Sequence, residues 1–111
     1  MSRDREVKGL LLAVAQELNA LALWQQESPS AEALASTLPF CMDTLEFHQW
    51  LQFVLLARLQ QMLQQQQPLP TQIAVYPMAT EIYKEELQAK RALLELLAQL
   101  DECLTGQAVA R

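Results

Sequence analysis

Apolar residues return every three or four positions along most of the chain, and the pattern breaks at two stretches of small, polar and proline residues. From Arg3 to Trp24, at about 100° per residue, Val7, Leu11, Val14, Leu18 and Leu21 share one face, with Leu10 and Ala22 at its flanks. This predicts a first amphipathic helix. On its far side Leu12 and Leu23 fall within about 20° of each other. They are incidental exposed leucines, leucines covered by the following loop, or part of an apolar surface for a partner or a second copy. From Gln25 to Pro39 the periodicity fails: Ser28 and Pro29 end the first helix and Ser30 can cap a short turn through Ala35. Leu34, Leu38 and Phe40 then pin the connection to the body.

The next stretch, PFCMDTLEFHQWLQFVLLARLQQMLQQQQPLP, holds an unbroken apolar run, Phe53 to Ala57. A run of this kind predicts a helix, about 44–66, touched by neighbours on most sides. Asp43 or Thr44 can cap it, and Glu46, three residues after Asp43, can complete a capping box. Phe47, Trp50, Leu51 and Val54 share one face; Leu55, Leu59, Met62 and Leu63 form a second row. Arg58 follows Val54 by four and Leu51 by seven, so an ideal helix carries it into the apolar stripe. There it must snorkel, pair with a carboxylate, or meet an anionic group. Pro68 and Pro70 stop the helix, and the segment to Pro77 is expected to be extended, held by Ile73, Val75 and Tyr76.

Helical periodicity resumes at 78–104, with Thr80 or Pro77 at its start and Gly106 at its end. Ile82, Ala89, Leu93, Leu97, Leu100 and Leu104 share a face, with Leu96 beside it. Glu86 and Lys90 intrude on that face, as a snorkelling pair four apart or because the helix breaks near residues 85–88. A short helix followed by a longer one fits better. The fold class is therefore all-α, one domain over 1–111, a small bundle of three to four helices around a central one.

Composition narrows the function more than it defines it. With 51% hydrophobic residues the chain can bury a core, and 13 acidic against 8 basic residues, net charge -5, oppose a broad phosphate-binding face. Direct nucleic-acid binding is disfavoured. The apolar run Leu10 to Ala15 is too short for a secretory or membrane-spanning segment, and Cys41 and Cys103 are expected to be reduced thiols in the cytoplasm.

Candidate chemistry is sparse. Cys41 and His48 form the one pair that invites a nucleophilic reading, but they lie seven residues apart with no glycine-rich oxyanion loop, and His48 is the only histidine. No CxxC, HExxH, GxGxxG or Walker sequence can be written, so no metal or cofactor is expected. Asp43 and Glu46 have the spacing of a cap. The aromatics Trp24, at a helix end, and Trp50 are the side chains a binding surface uses most, and Phe40, Met42, Trp50 and Phe53 form either a packing cluster or a groove for an apolar anchor.

In the stretch just quoted, P-F-x-M-D-T, then W-L-Q with an aromatic, a basic residue within the helix and L-P resemble the YqcC-like family of small bacterial helical proteins. The matching residues are Pro39, Phe40, Met42, Asp43, Thr44, Trp50, Leu51, Gln52, Phe53, Arg58, Leu69 and Pro70. Trp24 also fits, as do Ala74, Val75 and Pro77 against A-[VI]-x-P; EELQAKR stands where some members carry a proline-containing break. The resemblance implies an all-helical fold and no assigned activity. It also implies a link to tRNA modification, since some members are encoded beside a tRNA pseudouridine synthase; with this charge, that link would run through the protein partner.

Two functions follow as expectations. The first is a non-enzymatic module that binds a protein, for which the resemblance suggests a tRNA-modifying enzyme, through the surface from Phe40 to Trp50 and the Leu12 and Leu23 side, with a homodimer left open. The second is a small-ligand or anion-binding protein with Arg58, Asp43, Cys41 and His48 in one cleft.

Overall fold

The computed structural model describes residues 2–111, and the side chains of Ser2 and Pro39 lie outside that description. Five α-helices and no strand occur among the described residues. They are α1 (Ser2–Ala20), α2 (Ala31–Leu34), α3 (47–64), α4 (Val75–Ile82) and α5 (Arg91–Thr105), with a 3-10 turn at Pro39–Cys41. The all-helical expectation holds.

Helix α1 runs antiparallel to α5 in the most extensive pairing of the bundle, and the Arg3 guanidinium donates to the Cys103 and Leu104 carbonyls at the far end of α5. Donors there suit the negative end of that helix. The predicted stripe Val7, Leu11, Val14 and Leu18 is fully enclosed and packs with Leu51, Leu55, Leu56 and Leu59 of α3 and Leu93, Leu97, Leu100 and Leu104 of α5.

Helix α1 stops at Ala20, four residues before the predicted end. Ala22 takes a left-handed conformation (φ 61°), its N–H donates to the Asn19 carbonyl (3.0 Å) and that of Leu23 to the Leu18 carbonyl (2.8 Å). This paired closure satisfies the terminal carbonyls and throws the chain back on itself. Leu23 is thereby folded against the core while Leu12 stays 60% exposed, so the predicted strip of Leu12 and Leu23 does not form. The Ser30 cap does form, its hydroxyl accepting from Ala33 N–H at 3.1 Å.

Helix α3 begins at Phe47, not Thr44, and neither Asp43 nor Thr44 caps it. Glu46 is the N-cap, and the Gln49 amide oxygen accepts the Glu46 N–H at 2.8 Å. Asp43 instead accepts from the Ser36 hydroxyl, and the Thr44 hydroxyl donates to the Ala33 carbonyl at 2.6 Å. These residues tie down the preceding loop, which is why they are unavailable as caps. The middle of α3, Leu51–Leu56, is π-helical. Of the apolar run, Leu55 and Leu56 are buried, Phe53 and Val54 half-buried, and Ala57 exposed, so α3 is less enclosed than the run predicts.

Helix α4 starts at Val75, so Val75 and Tyr76 are helical, not extended. Its start is capped from another helix: the Asp101 carboxylate of α5 accepts Val75 N–H at 3.1 Å and Tyr76 N–H at 2.8 Å. Pro77 sits in the first turn, where an amide hydrogen has no intrahelical partner. Between α4 and α5 the helix breaks over residues 83–90, as the short-then-long reading expects. The Lys90 ammonium there bonds Glu86 at 2.8 Å and lies 5.2 Å from the centre of the Tyr83 ring.

Candidate functional site

The register of α3 builds the site. In a straight α-helix Arg58 would share a stripe with Leu51 and Val54; a π-helical turn closes i→i+5 bonds, so it holds more residues and rotates everything after it. Leu56 and Leu59 continue the buried row, and Arg58 emerges exposed on the side of Val54. Among the described residues no carboxylate lies within salt-bridge distance of Arg58, so the expected structural pairing is absent.

Arg58 stands at the edge of a groove of about 260 Å³, lined also by Phe40, Trp50, Val54, Leu55, Leu59, Pro70, Gln72, Ile73, Ala74 and Val75. Of these described lining residues Arg58 alone is charged. Three separate parts of the chain meet here: the 3-10 turn, the middle of α3, and the strap leading into α4. Phe40 and Cys41 both have positive φ (59° and 51°), a conformation unfavourable for side chains of this size. That bend brings the Phe40 ring edge-on to Trp50 at 4.7 Å, while Phe47 stacks on Trp50 at 6.0 Å. The strap is held by Asp101, which is 2% exposed; burial pushes its carboxyl above the ordinary aspartate range, and the two amide bonds oppose that rise.

Of the residues singled out from sequence, the groove gathers Phe40, Trp50 and Arg58 and leaves the others elsewhere. Asp43 does not line it, so the expected cleft of Arg58 with Asp43 is not formed. Met42 (56% exposed) and Trp24 (37% exposed) lie on the surface apart from it, and Leu12 borders a different groove with Arg5, Lys8 and Leu63. Cys41 is buried, and His48 Nδ1, also enclosed, has no hydrogen-bond partner among the described residues, so no thiol–imidazole bond exists. No group of three or more potential metal ligands occurs among the described residues, and no helix is long and apolar enough to cross a membrane.

Two polar residues that build the scaffold were missed as such from sequence, Asp101 and Gln52. Gln52, 8% exposed, clasps one backbone unit of the loop after α1: its amide oxygen accepts Gln25 N–H (2.9 Å) and its NH2 donates to the Gln25 carbonyl (2.7 Å). Both are polar positions on apolar stripes, Asp101 four after Leu97 and Gln52 three and four before Leu55 and Leu56, and that placement is the signal that could have found them.

The family model described as tRNA pseudouridine synthase C matches residues 6–103. The chain belongs to this family. An uncharacterized protein of Haemophilus influenzae is 40% identical over 83 residues, 75% of this chain and 76% of that protein. The uncharacterized protein YqcC of Escherichia coli is 34% identical over 85 residues, 77% of this chain and 78% of its own length. The solution structure of Escherichia coli YqcC superposes with a TM-score of 0.84 at 31% identity, covering 100% of this chain and 95% of that one. The YqcC-like resemblance carried by residues 39–70 is therefore correct, and so is the helical fold it implies. A tRNA pseudouridine synthase C from Pectobacterium carotovorum is 37% identical over 70 residues, which are 63% of this chain and 19% of that protein.

Proposed function

We propose that this chain is a non-catalytic helical accessory module that binds a tRNA pseudouridine synthase in the cytoplasm through the Phe40, Trp50 and Arg58 groove. The observation that carries the reading is the match to a protein named tRNA pseudouridine synthase C, of which this chain aligns with only 19%. A segment of this kind joined to a larger polypeptide works beside it at the millimolar effective concentration that a short linkage supplies. Without such a linkage the same proximity has to come from a docking surface. An apolar groove with aromatic walls and one unpaired guanidinium suits that task.

The rival reading, a small-ligand or anion site, is less well supported. The groove is smaller than the roughly 300–1,000 Å³ usual for such sites, and Asp43 is not part of it. Net charge -5 also argues against direct tRNA contact.

Tagged protein, purified from its own host and probed for the pseudouridine synthase by mass spectrometry and light scattering, tests the proposal. A stoichiometric complex is expected. A monomer that recovers no synthase, at protein concentrations of tens of micromolar, would refute it.

A further inference from the structure

Resting on the reading of a pseudouridine synthase as partner, we infer that the Arg58 groove accepts a short segment of that enzyme carrying one apolar side chain and a nearby carboxylate. The floor and walls, including Trp50, Val54, Pro70 and Ile73, are apolar, which fixes the first requirement. The space is about 260 Å³, enough for one or two side chains of a docking segment and too small for a drug-sized molecule or cofactor. Arg58 fixes the second: its planar fork matches a carboxylate with two parallel bonds.

Charge decides between occupants. In a chain of net charge -5, this cation is exposed beside an apolar groove with no internal carboxylate in range among the described residues, so a partner's carboxylate gains a bond without displacing one. A nucleic-acid strand would need several cations in a row, and one lines this groove. A second apolar groove, bordered by Leu12, carries Arg5 and Lys8, and serves as the comparison site.

Purified synthase from the same organism is titrated calorimetrically with the full chain and three variants, each verified as folded by circular dichroism. Arg58→Glu should weaken binding about tenfold or more, Arg58→Lys should fall in between because it keeps charge but loses the fork, and Arg5→Glu should bind like wild type. Equal binding by wild type and Arg58→Glu overturns the inference and leaves the synthase as partner, docked outside this groove; so does weakening confined to Arg5→Glu, which moves docking to the Leu12 groove. If wild type does not bind the synthase at all, the proposed function falls and this inference with it. Binding of wild type to tRNA alone, lost in Arg58→Glu, overturns the peptide occupant.

Discussion

Replacing Asp101 with alanine tests the strut that holds one wall of the groove. The carboxylate is the sole described partner of Val75 N–H and Tyr76 N–H, in a spot where Val75 is 1% and Asp101 2% exposed. Removing it orphans two amides at about 1–3 kcal/mol each, and returns part of the cost of desolvating the aspartate, for a net loss of about 2–4 kcal/mol. That is a large share of the roughly 5–15 kcal/mol by which such domains are stable, and it should lower Tm by about 8–20 °C. Urea denaturation followed by circular dichroism measures it, and Asp101→Asn, which keeps one acceptor, should fall between. The pH dependence has a definite sign. Because burial raises the folded pKa above the unfolded 3.8, the native state holds the Asp101 proton more tightly. The stability linked to that proton, distinct from the two amide bonds, is then fully present below the unfolded pKa and is lost as pH rises through the folded one. Asp101→Asn should remove that component from the acid limb. A loss under about 1 kcal/mol in Asp101→Ala, with an Asp101 carboxyl that titrates normally by NMR, would refute the account.

Gln52→Ala should cost about 1–3 kcal/mol in urea denaturation, because the Gln25 N–H and carbonyl lose their clasp, and Gln52→Leu should do no better despite restoring volume. Ala22→Gly should stabilise by about 1 kcal/mol, since Ala22 sits at φ 61° in the turn that closes α1, and an unchanged Tm would argue against that turn. Arg111 bonds Glu95 and holds its carboxyl down to about 2, so the associated stability is present above the ordinary 4.5 and lost as pH falls toward 2. In Arg111→Ala the Glu95 carbon resonance should titrate closer to the ordinary range, as NMR can follow.

What the sequence disclosed and what it concealed follow from the range of the forces involved. The stripes Val7 to Leu18 and Leu93 to Leu104 are repeated many times over, so burial confirms them residue by residue. The break over residues 83–90 was legible because Glu86 and Lys90 on an apolar face called for either a snorkelling pair or a break in the helix there. The end of α1 was not, because a left-handed alanine carries no glycine to mark it. The start of α4 was not either, since its cap comes from Asp101, twenty-five or more residues away in sequence. Asp43 looked like a cap by spacing alone, and the spacing could not reveal that Ser36 would claim it.

Arg58 shows why the candidate site was only half visible. A helical wheel assumes one rotation per residue throughout, and on that assumption the guanidinium lies in the core, at a penalty of several kcal/mol unless paired. The chain avoids the penalty by changing register: the π-helical stretch Leu51–Leu56 keeps leucines 51, 55, 56 and 59 in the core and turns residue 58 outward. The same rotation leaves Val54 only half covered, and Phe40, bent into a left-handed turn, and the strap before α4 close around the space without filling it. Groove and exposed cation are thus two consequences of one local change in helix geometry. At about 100° per residue Arg58 borders the arc of those leucines, so a small change of register decides whether its guanidinium is covered.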